Sequence, residues 1–245
     1  MEEDFCGLCR NFTPWGYTQG FFAEVMIMKQ TIDVKKMVLL SLLSALAYVI
    51  TVAFPRIEVA GFLRYEPKDV IIVIGAFLLG PYAAVVSSSL VALLEMVTIS
   101  STGPVGGLMN ALSSCSFALV ASLIYSKKRT LGGAILSLAV GGVVMSGVML
   151  LWNWLVTPLY MKVERPVVEA MLLPVFLPFN LIKAGLNSAL ILALYKPMLT
   201  AIRGARLLPP SSNGVQKNSR PWTYALAAVL LVTFIVLLLA LQGKI

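Results

Sequence analysis

The sequence predicts an all-α integral membrane protein: a six-helix transmembrane bundle followed by one appended transmembrane helix toward the C-terminal end. Three observations carry that class. Hydrophobic residues make up 59% of the 245-residue chain and charged residues 12%, against about 45–50% and about 25% in a soluble domain. Too few polar side chains exist to cover a water-facing surface. Apolar runs recur along the chain, and a membrane span needs about 20 such residues. Between the runs, lysine and arginine gather on alternate connections, the positive-inside pattern that orients membrane helices. The same composition narrows the chemistry. There is no histidine, the usual general base, proton shuttle and commonest metal ligand. Cys6, Cys9 and Cys115 alone cannot build a Cys/His zinc tetrahedron, so metallo-hydrolysis and Ser-His-Asp catalysis are excluded and no metal site is expected. The formal charge of +8 belongs to topology and gives no reason to invoke nucleic acid.

The apolar runs lie at about 37–54, 70–99, 105–125, 131–160, 170–202 and 222–242. Most read directly as single spans. The run 70–99 is too long for one span and short for two, and Gly80-Pro81 sits inside it. Proline removes an amide donor and disfavours helix at the residue before it. Charge decides the reading. Lys29, Lys35 and Lys36 precede the first span, and Lys127-Lys128-Arg129 separate 105–125 from 131–160. Both clusters belong in the cytoplasm, which demands an even number of crossings between them. Splitting at Gly80-Pro81 supplies it and makes one helix, about 69–79, unusually short. The run 131–160 then leads outward and 170–202 returns, placing Lys196, Arg203 and Arg206 inside. The connections left outside are charge-balanced: Arg56, Arg64 and Lys68 against Glu58, Glu66 and Asp69, then Lys162 and Arg165 against Glu164 and Glu169.

The organisation expected is an N-terminal extension over 1–28, a six-helix membrane domain over 29–206, a polar linker over 207–221 and a further transmembrane helix over 222–243. The linker carries Pro209-Pro210, Asn213 and Gly214, which punctuate rather than propagate helix. The first 25 residues have no helical period and lack the basic region and small-residue cleavage site of a signal peptide. Met26 and Met28 stand just before the basic residues that lead into the first span, so translation is read as starting there, and the extension as non-native or disordered. Cys6-x-x-Cys9 then carries no redox meaning. The chain is expected in the plasma membrane, multi-pass, with a cytoplasmic N-terminus.

Polar groups inside spans are costly and face the bundle interior or a cavity. Lys183 sits mid-run in 170–202, with Asn180 three residues before it and Asn187 four after, so the three share one helical face. Asn110 opens the fourth span and Asn153 stands between Trp152 and Trp154 near the end of the fifth. With alternating orientation, Asn110, Asn153, Asn180 and Lys183 converge on one outward-facing pocket. Asn187, a turn deeper, is expected to bond a neighbouring helix. Glu95 closes the third span at the outer level and reads as a solvated rim. The Trp152/Trp154 pair suits an interfacial belt or the pocket wall. Amides offer donor and acceptor together, which suits the imide-like edge of a heterocycle, and the surrounding Leu, Phe, Met and Trp suit a flat apolar ring. An ion-coupled carrier would place Asp or Glu within the spans. The spans hold none away from their ends, so energy for transport is expected from elsewhere.

Several stretches, taken in order, carry a family resemblance. They are Phe62-Leu63-Arg64-Tyr65-Glu66-Pro67-Lys68-Asp69-Val70 continuing to Gly80-Pro81, Ser101-Thr102-Gly103-Pro104-Val105-Gly106-Gly107-Leu108-Met109-Asn110, Asn153-Trp154-Leu155-Val156-Thr157-Pro158-Leu159-Tyr160, and Leu177-Pro178-Phe179-Asn180-Leu181-Ile182-Lys183. Over about 29–202 the chain resembles the substrate-binding S components of energy-coupling-factor (ECF) vitamin transporters, most closely the riboflavin-specific ones. The resemblance implies a six-helix S component that binds vitamin from outside and joins a transmembrane T component and two cytoplasmic ATPases. It implies no cofactor beyond the transported vitamin and no catalysis by this chain. Family binding residues fall on Asn110, Asn153, Asn180 and Lys183; Glu66, Glu95 and Trp152 are read beside them as further pocket or rim positions. The T-component contact falls on the small residues Ser41 and Ala45, a spacing that lets helices approach closely. The sequence departs from the flavin-type pattern in having Val91-Ala92 where a Lys-Asn pair is usual, Gly107 where Glu is usual, and Glu66 where Asp is usual. An S component for another vitamin or flat heterocycle, a stand-alone secondary carrier and a membrane-embedded enzyme are the competing readings. The last would need an acid/base pair or metal ligands inside the bundle, where only Lys183 is available.

Overall fold

The computed structural model describes residues 34–54, 57–59, 63–99 and 103–205, together with 228–229, 231–236 and 239. The expected extension over 1–28, with its start at Met26 or Met28, and the linker over 207–221 lie outside these residues. Helix dominates, as a lipid solvent requires, because a helix satisfies its own backbone donors and acceptors. In chain order come α1 (Val34–Ala53), β1 (Ile57–Val59), β2 (Leu63–Tyr65), α2 (Lys68–Leu79), α3 (Pro81–Thr98), α4 (Gly103–Lys127), α5 (Leu131–Met161), α6 (Arg165–Met171), a π-helical turn (Leu172–Phe176) and α7 (Leu177–Gly204). Among the described residues, five segments are long and apolar enough to cross a membrane: Val34–Ala53, Pro81–Thr98, Gly103–Lys127, Leu131–Leu159 and Arg165–Ile202.

The run 70–99 divides at Gly80. This residue adopts φ 98°, its N–H closes α2 on the Ala76 carbonyl, and Pro81 opens α3. Positive φ favours glycine, and proline's fixed φ suits a first helical position. The division leaves α2 with 12 residues, about 18 Å of helix against a hydrocarbon core of about 30 Å. All ten residues from Lys68 to Phe77 are buried, so α2 is enclosed by protein instead of facing lipid.

Seven α-helices among the described residues do not map one to one onto the six-plus-one expectation. The additional one is α6, within the segment read as an outer loop over 161–169. That loop contracts to a reversal at Lys162, in the left-handed region at φ 54°, followed by Val163 and Glu164. Pro166 falls in the first turn of α6, where its missing N–H would be unpaired anyway, so it begins a helix instead of breaking one. Pro174 and Pro178 then each withhold a backbone donor around the π-helical turn, where a loosened ladder is accommodated. Of the expected helix over 222–243, residues 231–236 are helical, and Phe234 packs against the apolar cluster of Tyr65, Phe179, Ile182 and Leu186.

Small and hydroxylated residues bring the helices together. Ser44 of α1 bonds Ser87 of α3 at 3.1 Å, and the Tyr48 hydroxyl donates to Thr98 at 2.9 Å. A Cβ on Gly142 of α5 would stand 2.9 Å from the Cβ of Ala184 on α7. That close approach holds the residue after Lys183 against α5, as small residues do in membrane bundles. The strands form an antiparallel hairpin in the register Ile57↔Tyr65, Glu58↔Arg64, Val59↔Leu63. Leu63 and Tyr65 are buried with Arg64 less so between them, the alternation of a half-buried strand.

Candidate functional site

The first turn of α2 is where the site is built. Lys68 and Asp69, counted from sequence among the charges that balance the first outer loop, open α2 and are 1% and 0% exposed. The correction has a physical cause. A helix apolar all round is buried all round, and its first turn is carried inside with it. The Lys68 ammonium pairs with Glu95 of α3 and lies 2.6 Å from Glu66 Oε2. Glu95 is therefore no solvated rim: it is 3% exposed and joined to a buried cation. Asn110 of α4 bridges the two carboxylates, its Nδ2 donating to Glu66 Oε1 at 3.1 Å and to Glu95 Oε2 at 3.2 Å.

Beside this cluster, Asp69 takes three side chains from two helices. Ser114 of α4 donates to Oδ1 at 2.5 Å, and Asn187 of α7 donates to Oδ2 at 3.3 Å. The Lys183 ammonium of α7 pairs with Oδ2 at 3.3 Å and also donates to Ser113 Oγ at 3.3 Å. The Tyr65 hydroxyl donates to Asn187 Oδ1 at 2.9 Å, tying the hairpin to the network. Asn187 thus bonds between elements, as its position a turn deeper suggests. Burial, then the neighbouring Asp69 charge, pushes the Tyr65 phenol above its usual range, so it remains a donor. Burial alone would raise the Glu66 carboxyl, but Lys68 and Lys183 outweigh it and hold the group below the usual carboxylate range.

Of the four residues predicted to converge, Asn110 belongs to the cluster of Glu66, Lys68 and Glu95 and Lys183 to that of Asp69, the two clusters meeting at the adjoining Lys68 and Asp69. Asn153 and Asn180 are buried, at 2% and 3% exposure, but their amide nitrogens close onto their own helices. Asn153 Nδ2 donates to the Met149 carbonyl at 2.7 Å and its Oδ1 accepts from Thr157 at 3.0 Å. Asn180 Nδ2 donates to the Phe176 carbonyl at 2.8 Å, at the end of the π-helical turn. Neither bond reaches the charged network. Trp152 is half-buried against the main core. Trp154 donates to Glu169 at 3.0 Å, with the Arg165 guanidinium 5.9 Å from its ring centre, clasping α5 to α6. On α1, Ser41 and Ala45 are exposed, turned away from the buried Leu43, Ser44 and Ala47. Val91 is fully buried on α3, one turn before Glu95, which receives the Lys68 ammonium from α2. A Cβ on Gly107 would meet Met96 at 3.1 Å, so this position is filled by packing.

Sequence reasoning missed Lys68, Asp69, Ser113 and Ser114. The available signal was the uniformly apolar run that begins at Val70: with no polar face to turn outward, it marks a buried helix whose leading charges need partners.

Comparison with known proteins follows the same outline. A family model for the substrate-specific component of ECF transporters matches residues 35–195. The chain is 29% identical over 176 residues to the riboflavin transporter RibU of Staphylococcus aureus (strain TCH60), covering 69% of this chain and 93% of that protein. It is 26% identical over 187 residues to the riboflavin transporter FmnP of Bacillus subtilis (strain 168), covering 71% of this chain and 98% of that one. A solved structure of the S component of a bacterial ECF transporter superposes with a TM-score of 0.60 at 28% identity, over 70% of this chain and 99% of that one.

Proposed function

Since the chain belongs to the family of ECF transporter substrate-specific components, we propose that it captures riboflavin or a related flavin at the outer face of the plasma membrane for an ATP-driven importer. The single observation that carries this reading is the pair of buried polar clusters on adjoining residues of α2, one holding Asn110 of α4 and the other Lys183 of α7. The pair spans two helices at the level where the alternating topology puts the outer surface. Fixed amide and ammonium donors in an apolar setting can read the carbonyl and imide edge of a flat heterocycle. Asn153 and Asn180 complete the ligand-facing set in this reading, their amide nitrogens turning from backbone carbonyls to the ligand on binding. Similarity to two riboflavin transporters over nearly their whole lengths supports the flavin assignment.

The bundle in this reading crosses the membrane six times from a cytoplasmic N-terminus, α2 contributing a short span, and the helix near 231–236 belongs to one further crossing. The exposed Ser41 and Ala45 give α1 a small-residue face for a transmembrane T component, and two cytoplasmic ATPases supply the energy. Protein purified from cells grown with riboflavin should be yellow, with quenched flavin fluorescence. Lys183→Ala should weaken riboflavin binding by well over tenfold, as loss of a charged hydrogen-bonding group does. Colourless protein that binds no riboflavin at micromolar concentration would exclude the flavin. The packing of Gly107 on Met96, where flavin-type members carry Glu, favours a second reading: an S component for another flat heterocycle. Mass spectrometry of the extracted native ligand separates the two.

A further inference from the structure

Residues 231–236 lie outside the stretch 35–195 that the family model matches, yet they are helical and joined to the bundle. Leu231 and Phe234, three residues apart and so on one helical face, are half-buried, whereas Val232, Ile235 and Val236 are exposed. The described residues of this helix thus touch the bundle along one side. Phe234 makes its contact at a set place: Gly185 of α7, where an added Cβ would overlap the tip of the Phe234 ring. Glycine inside a helix is unfavourable beside alanine, and here it leaves a notch that the ring fills. Apolar area gives little drive for helix association in lipid, so close packing of this kind decides which helices stay together.

The same ring packs against a cluster drawn from separate elements: Leu63 and Tyr65 of β2, Val168 of α6, and Phe179, Ile182 and Leu186 of α7. None of the six is more than 6% exposed. Two ties therefore hold β2 to α7, this cluster and the bond from the Tyr65 hydroxyl to Asn187 at 2.9 Å. We propose that the helix around 231–236 is a docked member of the bundle and the mount of the hairpin, with Phe234, seated at Gly185, the positioning residue that keeps β2 packed on α7. The partner of this flank of α7 is then a segment of the same chain. The assignment concerns packing and stands whatever ligand the site takes.

Hydrogen–deuterium exchange of the full-length protein in detergent, read peptide by peptide without ligand, tests this independently of the flavin reading. Phe234→Ala empties the notch and should speed exchange in the peptides holding Ile57–Val59 and Leu63–Tyr65 by at least about fivefold, while those of α1 and α4 keep wild-type rates. Gly185→Leu blocks the notch from the other side and should do the same. Phe234→Leu keeps an apolar knob and should stay within about twofold of wild type. The double variant Gly185→Leu/Phe234→Ala gives the added side chain the room the ring vacates, so its hairpin should exchange more slowly than in either single variant. Unchanged hairpin exchange in Phe234→Ala overturns the inference. So does equal acceleration in every helix, which marks a general loss of stability, or effects that simply multiply in the double variant. Should Gly185→Leu fail to fold, the two Phe234 variants decide alone: acceleration in Phe234→Ala with recovery in Phe234→Leu upholds the mount, and any other pattern removes it.

Discussion

The two ends of α2 are both packed into the bundle and are held by opposite means. At its start, Lys68 and Asp69 enter ion pairs and hydrogen bonds reaching α3, α4 and α7. At its end, Phe77 stacks on Tyr125 with ring centroids 4.2 Å apart, and Tyr195 stands edge-on at 6.1 Å from both. The polar end is directional: each partner occupies a set place, and removing one strands the others. The aromatic end depends on shape and area, tolerating any filling of similar volume. A ligand that forms or exchanges hydrogen bonds can therefore read the first end, while the second fixes the helix that presents it. Asp69→Ala tests the directional end and should have the largest effect. It leaves the Lys183 ammonium buried beside only Ser113, and Ser114 and Asn187 without their acceptor. Breaking a buried pair on one side costs about 3–5 kcal/mol. Thermal unfolding in detergent should show a collapse in stability, with Asp69→Asn recovering part of it. A wild-type melting profile for Asp69→Ala would remove the pair from the structural account.

Phe77→Ala examines the other end. Truncating a buried phenylalanine costs about 3–4 kcal/mol through lost transfer energy and a residual cavity, so the melting temperature should again fall. Riboflavin affinity of the folded fraction, however, should stay within about threefold of wild type, because the ring touches none of the polar network. Titrating this variant beside Lys183→Ala separates the two ends: both variants lose stability, but only Lys183→Ala loses affinity as well. A large affinity loss in Phe77→Ala would show that the ends act as one unit.

How legible these ends were differs for the same reason. Apolar runs and the Gly80-Pro81 break located the helices, because a break in a hydrophobic run follows from backbone geometry alone. Lys183 stood out since a lysine inside a long apolar run has no benign explanation. Lys68 and Asp69 did not, because a balanced set of charges in a short connection looks the same whether water or protein surrounds it. Only the packing of α2 among α1, α3, α4 and α7 decides that, and packing is non-local. Glu95 was misread likewise: its place at a span end is compatible with solvent until Lys68 arrives from another helix. The segment 161–169 hid α6 because Pro166 both ends and begins helices, and the sequence does not say which. Asn153 and Asn180 were correctly judged buried, yet a side chain four residues from a backbone carbonyl can bond its own helix, and periodicity does not distinguish that from a pocket.

The smallest effect sharpens the comparison most. Tyr65 belongs to both regimes, its ring edge-on to Phe54 at 6.3 Å and its hydroxyl donating to Asn187. Tyr65→Phe removes only the polar half. The ring keeps its packing, Asn187 Nδ2 keeps Asp69, and Asn187 Oδ1 loses its donor. A single neutral hydrogen bond is worth about 1 kcal/mol, so the melting temperature should fall slightly and riboflavin affinity by no more than about threefold. A loss rivalling that of Asp69→Ala would mean that the hydroxyl holds Asn187, and through it Asp69, in place. The directional end would then begin in the hairpin, and the ligand network would extend across the membrane surface from β2 to α7.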